Sequence, residues 1–408
     1  MHRICLVTPS HPASNPRLVK EAEALLAAGY DVHVVAGRYF PPLDPFDEEI
    51  YRDARWNRTR VDYSAGFRVT LGKLHRRFAR YRLARGIPPT LSCAMRAHHV
   101  AIPQLAAAAA RVRADLYIGH CLAGLAAAGL AAERTGAKLG FDAEDFHPAE
   151  TDEASADPVE IASIKTIESH WLPRCVHLTA ASPLIAAAYR DRYGIREPVT
   201  VLNVFPSASA PSAPVTPASG GPARLYWFSQ TLGPGRGLEL LLPVLARMSA
   251  PCSLHLRGLP SPGFPEALQT AAKASGFTGP IEFLPIAPAD DMIRLAAPYD
   301  LGLSLEQSSP LNRDLCLTNK VFTYLLAGIP QLMTPTAAHR DFAPSLGDAA
   351  LVGDLANRAK TAAQLDAWLA NPARVASSRR TAWRLARERY CWDVEQTALV
   401  AAVRQALA

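Results

Sequence analysis

Apolar residues along this chain fall into short runs, each followed by a segment with helical spacing. Arg3–Thr8, carrying Ile4, Leu6 and Val7, has the length of a buried strand. Asn15 is placed to cap a helix and Pro16 to open it. Leu18, Ala22, Leu25 and Leu26 then share a face, and Gly29 marks the stop before a Val-rich strand, Asp31–Ala36. The alternation repeats as strand Leu116–Gly119, helix Leu122–Arg134 and strand Lys138–Asp142, then as strand Val176–Ala181, a helix to Tyr193 and strand Val199–Leu202.

Pro206 to Pro222 breaks the pattern. It is rich in Pro, Ser and Ala without periodicity and reads as an interdomain linker, 206–222. A second series follows: strand Arg224–Phe228, helix Gly237–Met248, strand Ser253–Arg257, helix Glu266–Ala274, strand Ile281–Leu284, helix Asp290–Ala297, strand Leu301–Leu305, helix Lys320–Ala327, and strands Gln331–Met333 and Leu351–Val352. The tail from Arg374 to Ala408 reads as helix, broken near Tyr390–Trp392. Such alternation predicts the α/β class, with two doubly wound, Rossmann-like domains over 1–205 and 223–387. Two such domains present their strand ends to one another, and a cleft between them is the expected ligand site.

A chain of 408 residues suits two domains, and 49% hydrophobic with 20% charged residues excludes global disorder. No apolar run reaches the ~20 residues of a membrane span. The apolar run near Met1 is short for a signal peptide, so a cytoplasmic location is expected. Seven cysteines with no C-x-x-C pair argue against a disulfide framework or a zinc site. The charge is segregated. Between Tyr51 and Arg113 stand 14 Lys/Arg against Asp53 and Asp62, whereas Asp142 to Glu168 holds nine acids against Lys165. A basic region of this kind suits an anionic substrate or peripheral contact with a membrane through residues 51–113, or is a solvated face; no nucleic-acid motif accompanies it. The segment Leu74–Arg85 interleaves arginines with apolar residues, as a membrane-surface helix or the rim of a cleft does.

Five groups of residues carry candidate chemistry. Gly233-Pro-Gly235-Arg236-Gly237 follows a strand and opens a helix; such a turn lets backbone N–H groups and Arg236 approach a phosphate. It lacks the G-K-[ST] of a P-loop. Thr318-Asn319-Lys320 opens a second helix that ends at Gly328, with Lys320 suited to a diphosphate. Glu306 closes a strand, where a carboxylate accepts ribose hydroxyls. His120 closes another, and Asp142, Glu144 and Asp145 close a third. His120, Asp142, Glu144, Asp145 and His147 match no metal-binding spacing, so no metal is assigned. No G-x-S-x-G elbow is present.

These segments together resemble retaining glycosyltransferases of the GT-B fold, near glycosyltransferase family 4, over nearly the whole chain. The likeness rests on Ser14-Asn-Pro-Arg-Leu-Val-Lys-Glu-Ala22, His120, Phe141-Asp-Ala-Glu-Asp-Phe-His-Pro-Ala-Glu150, Val201-Leu-Asn203-Val, Arg236-Gly-Leu-Glu and Asn319-Lys320-Val-Phe-Thr-Tyr-Leu-Leu-Ala-Gly-Ile-Pro330. It implies that helix 388–408 crosses back to the first domain and that a nucleotide diphosphate sugar binds the second. It implies front-face sugar transfer to an acceptor hydroxyl with retention, needing no cofactor, metal or protein nucleophile, and with His120 contacting the sugar. Glycan, lipid-linked and natural-product acceptors are all compatible. The family's paired acids fall on Leu315 and Thr323 here. A GT-B-like protein that binds without catalysis, and a sugar-nucleotide epimerase, share the same layout.

Overall fold

The alternation folds into two parallel sheets in a computed structural model that describes residues 1–152, 154–215 and 221–408. The chain divides into two compact units, Met1–Val201 with Gln396–Ala408, and Leu202–Glu395.

The first unit contains strands β1 (Arg3–Thr8), β2 (Asp31–Arg38), β3 (Asn57–Asp62), β4 (Leu116–His120), β5 (Lys138–Ala143), β6 (Cys175–Ala180) and β7 (Val199–Thr200), in the sheet order β3-β2-β1-β4-β5-β6-β7. Its helices are α1 (Pro16–Ala27), α2 (Asp44–Asp53), α3 (Phe67–Ala84), α4 (Leu91–His98), α5 (Ile102–Val112), α6 (Cys121–Thr135), α7 (Pro158–Trp171) and α8 (Pro183–Tyr193). Ile4, Leu6, Val32, Val34, Leu116 and Ile118 pack with Leu18, Ala22 and Leu25 of α1 in one buried cluster. As the capping chemistry predicts, Asn15 Oδ1 accepts the Leu18 N–H at 3.0 Å at the start of α1.

The second unit contains β8 (Ala223–Leu232), β9 (Cys252–Pro260), β10 (Ile281–Leu284), β11 (Leu301–Ser304), β12 (Gln331–Met333) and β13 (Ala350–Val352), in the order β10-β9-β8-β11-β12-β13. Its helices are α9 (Leu238–Leu245), α10 (Phe264–Ser275), α11 (Met292–Ala296), α12 (Leu311–Leu315), α13 (Asn319–Leu326), α14 (Ala337–Phe342), α15 (Arg358–Leu369) and α16 (Pro372–Glu388). The last helix, α17 (Trp392–Leu407), begins in this unit and ends in the first, where Val403 joins the core.

The proline-rich stretch differs from a free linker over its described part. Trp383 Nε1 of α16 donates to the Pro211 carbonyl at 2.8 Å, and the Ser207 N–H reaches Asp393 at 2.7 Å. Residues 206–215 therefore lie on the second unit, because prolines without periodicity still present carbonyls that a tryptophan can use; 216–220 lie outside the described residues. The division falls instead after Val201. Among the described residues no helix is long and apolar enough to cross a membrane.

Candidate functional site

Each sheet reverses its strand order once, between β1 and β4 in the first unit and between β8 and β11 in the second. Loops leave such a point in opposite directions and open a crevice at the strand ends. The residues singled out from the sequence lie at these two points.

In the second unit, the turn after β8 packs on the chain leaving β11. Gly237 has φ +81°, and a Cβ there would lie 2.7 Å from the Leu305 carbonyl oxygen, so only glycine fits. Arg313 Nη1 donates to the Gly235 carbonyl at 3.2 Å, tying α12 to the same turn. Gly237 is the N-cap of α9, whose first N–H groups begin there. Arg236 is half-buried and, among the described residues, forms no hydrogen bond or ion pair.

Glu306 follows β11, and its Oε1 accepts from Lys320 Nζ at 2.9 Å. Lys320 is thus buried and paired, whereas the sequence alone suggested a free cation; Asn319 beside it is exposed. Burial alone would raise the Glu306 pKa, but the charge and hydrogen bond of Lys320 outweigh it and the carboxyl lies below its ordinary value. Thr334, at the end of β12, donates Oγ1 to the Glu306 carbonyl. His339 Nδ1 lies 2.8 Å from the Thr334 carbonyl, so that nitrogen carries the proton. Its Nε2 is buried with no partner among the described residues, and burial lowers the pKa of the ring. The structure therefore brings Gly233, Gly235, Arg236, Gly237, Glu306, Asn319 and Lys320 into one neighbourhood, and adds Thr334 and His339, which carry no sequence signal of their own.

In the first unit, register does the assembling. His120 of β4 stands opposite Asp142 of β5, and Asp142 opposite Thr179 of β6. Gly119 and Gly124 let the first turn of α6 press onto the sheet: a Cβ at Gly119 would lie 2.4 Å from the Leu125 nitrogen. Cys121, between them, takes a left-handed φ of +59°. Asp142 accepts two bonds from Arg17 of α1, from Nε at 2.6 Å and from Nη2 at 2.8 Å, and a third from Thr179 at 2.6 Å. Burial would raise its pKa, yet Arg17 and His120 hold it well below the usual carboxylate range.

The His120 side chain is 0% exposed. Its Nδ1 lies 3.1 Å from Glu144 Oε1 and 3.4 Å from Asp142 Oδ2, and its Nε2 lies 3.0 Å from Glu21 Oε2. Burial opposes a charge on the ring, but these carboxylates win and push its pKa up to about 10. The surrounding carboxylates therefore favour the protonated ring. Asn15 Nδ2 also donates to Glu144 Oε1, at 2.8 Å, so one asparagine caps α1 and holds the acid. Glu144 and Asp145 are partly exposed, whereas His120, expected to contact the sugar, and Asp142, expected on the acceptor side, are closed off because Glu21, Glu144 and Arg17 surround them. Arg17 and Glu21 were the missed residues. Their signal was two charges four residues apart on the buried face of α1, where charge is rare without a partner. Lys20, half-buried beside them, is brought down to about 7 by burial and by Arg17.

His147 bonds Tyr189 through Nδ1 at 2.8 Å and faces Glu168 at 3.5 Å, away from the His120 group. Among the described residues, two sets of side chains lie close enough for a metal: Glu21, His120 and Asp142, and His11, Asp44 and Asp47. Arg17 already occupies both oxygens of Asp142. In the second set, His11 donates Nδ1 to Asp47 at 2.7 Å while Nε2 accepts the Tyr39 and Phe40 N–H groups at 3.1 Å. Both imidazole nitrogens are thereby engaged.

No protein-family model matches this sequence, and no curated protein matches it. Solved structures match its fold over almost its whole length. Anabaena HepE in complex with UDP-glucose is 12% identical with a TM-score of 0.71, covering 99% of this chain and 100% of that one. Sucrose-phosphate synthase from Thermosynechococcus elongatus is 13% identical at a TM-score of 0.68, with 99% of each chain covered. S. aureus TarM in complex with UDP is 9% identical at 0.61, covering 98% and 99%. The chain has the GT-B glycosyltransferase fold.

Proposed function

We propose that this chain is a retaining glycosyltransferase that moves a sugar from a nucleoside diphosphate sugar to an acceptor hydroxyl. The observation that carries the reading is the second unit's strand-order reversal, where the turn before α9 packs against the strand end carrying the buried Glu306–Lys320 pair. HepE, of the same fold, was crystallised with UDP-glucose, which favours a UDP-sugar donor.

The diphosphate lies on the N-terminal N–H groups of α9 and α13, with Arg236 adding a bidentate donor. Lys320 shares its charge between Glu306 and the phosphate. Glu306 Oε1 is taken by Lys320, so Oε2 accepts a ribose hydroxyl, the part the family acids at Leu315 and Thr323 leave unfilled. In the reaction, the acceptor oxygen bonds to the anomeric carbon on the face from which the phosphate oxygen departs. The anomeric C–O bond breaks, and the leaving phosphate oxygen takes the acceptor proton. The charge that develops on the diphosphate is what fixed N–H groups and cations stabilise most. In the first unit, the partly exposed Glu144 and Asp145 are the carboxylates offered to an acceptor hydroxyl. His120, charged and enclosed, holds Glu144 in place.

A second reading, a nucleotide-sugar binder without turnover, is favoured by Thr323: it is fully buried, and among the described residues its hydroxyl has no hydrogen-bond partner where the family has an acid. Thermal unfolding with UDP, GDP, ADP, CMP and dTDP, with and without Mg²⁺, tests the donor site. A ligand at 100 times its Kd adds about 2.7 kcal/mol to native stability. One diphosphate is expected to shift the transition, and Arg236→Ala to abolish the shift. No shift with any nucleotide overturns the reading, and a shift without sugar release favours the binder.

A further inference from the structure

Helix α3 is packed inside out. It buries Val69, Ala79 and Leu83 and turns its largest apolar side chains to solvent: Phe67 is 81% exposed, Leu71 40%, Leu74 56%, Phe78 62% and Tyr81 56%. These five recur at intervals of four, three, four and three residues, a stripe roughly 80° wide at 3.6 residues per turn. The helix contains no acid. Lys73 and Arg77 flank the stripe on one side and Arg68 and Arg82 on the other.

The opposite face is pinned. Arg80 pairs with Asp157 and Glu160 of the α7 segment, and Arg76 Nε donates to the Ala97 carbonyl at 3.1 Å. The stripe is therefore held outward and is not a stray frayed turn. Contiguous exposed apolar surface of this kind marks an interaction site, and cations on both flanks fit a helix that lies in the plane of an anionic interface.

A cavity of about 920 Å³ opens beside the stripe, sharing Phe67 and Leu71 with it. Arg68, Arg96 and Arg111 line it, and none has a hydrogen-bond or ion-pair partner among the described residues. The lining acid Asp62 is ion-paired to Arg38. Two buried atoms in the lining lack partners as well, Arg60 Nε and Gln104 Oε1. Apolar wall, unpaired arginines and an outward apolar stripe thus meet at one place.

We propose that α3 docks this chain on an anionic lipid membrane, its stripe entering the boundary between headgroups and acyl chains and the adjoining cavity taking a lipid phosphate. The inference stands apart from the donor site, which lies in the other unit.

The test is co-sedimentation of the full chain with vesicles of phosphatidylcholine alone and of phosphatidylcholine with phosphatidylglycerol. Binding is expected on the anionic vesicles, weaker by about tenfold or more on neutral ones and in high salt. Leu74→Glu with Phe78→Glu removes it; both side chains face solvent, so circular dichroism and nucleotide binding stay as in the parent chain. Arg96→Gln with Arg111→Gln weakens binding to anionic vesicles only. Equal binding to both vesicles, or none, overturns the proposal, as does undiminished binding by the double glutamate variant. So does a dimer in sedimentation velocity that the same variant makes monomeric, since a second copy of the chain then covers the stripe.

Discussion

Replacing Lys320 by methionine isolates the pair at the centre of the donor site. Lys320→Met keeps the stem and removes the ammonium, leaving Glu306, its side chain 15% exposed, without the cation that pairs with it directly. Breaking a buried pair from one side costs about 3–5 kcal/mol, and the residual exposure of both partners brings this to roughly 2–4 kcal/mol. In a unit of this size such a loss lowers Tm by roughly 5–12 °C. The pH dependence changes sign. In the parent chain Glu306 titrates below its ordinary value, so its contribution is present above the unfolded pKa and is lost as pH falls through the folded one. Without Lys320, burial raises the carboxyl, and the variant gains relative stability as pH falls from 8 towards 5. Glu306→Gln in the same background removes the unpaired charge and recovers most of the Tm. Thermal unfolding of the three chains across that pH range is the assay. An unchanged Tm in Lys320→Met, or an equal loss with and without Glu306→Gln, refutes the reasoning.

Three further outcomes follow from the geometry. Arg17→Met removes both guanidinium bonds to buried Asp142, leaving it with Thr179 and the His120 ring, and is expected to destabilise the first unit by about 3–5 kcal/mol in chemical denaturation. His120, with a pKa of about 10, contributes stability that is complete below the ordinary histidine range and lost as pH rises through about 10; nitrogen NMR of its ring should show imidazolium at pH 8, and a neutral ring there contradicts the carboxylate cage. Gly237→Ala drives a Cβ to within 2.7 Å of the Leu305 oxygen at φ +81°, costing about 1–3 kcal/mol and abolishing the nucleotide-induced Tm shift.

The strands that were legible are those whose evidence is local. Arg3–Thr8, Ile281–Leu284 and Gln331–Met333 end where the sequence places them, because each is a short run rich in apolar residues and bounded by polar or turn residues. Strand β3, Asn-Arg-Thr-Arg-Val-Asp, offers no such run; it is an edge strand recruited by its register with β2. The strand-end candidates His120, Asp142 and Glu306 were readable because a parallel sheet gathers ligands there. Their partners were not, since Arg17 meets Asp142 across 125 residues and no local pattern reports that pairing. Lys320 and Glu306 each looked like a ligand contact; only the fold shows that they first bind one another. The sequence leaves the Leu74–Arg85 segment open between a membrane-surface helix and a cleft rim for a related reason: periodicity places Phe67, Leu74 and Phe78 on one side of a helix without saying whether that side meets the core.

The most direct measurement is release of nucleoside diphosphate when the purified chain is incubated with UDP-sugars, followed by proton NMR of the anomeric centre. The account predicts UDP release from one sugar donor, a product with the donor's own anomeric configuration, and loss of both in Arg236→Ala. No release from any sugar nucleotide while UDP still binds would contradict it and leave a GT-B fold that binds without catalysis; an inverted anomer would contradict the front-face chemistry.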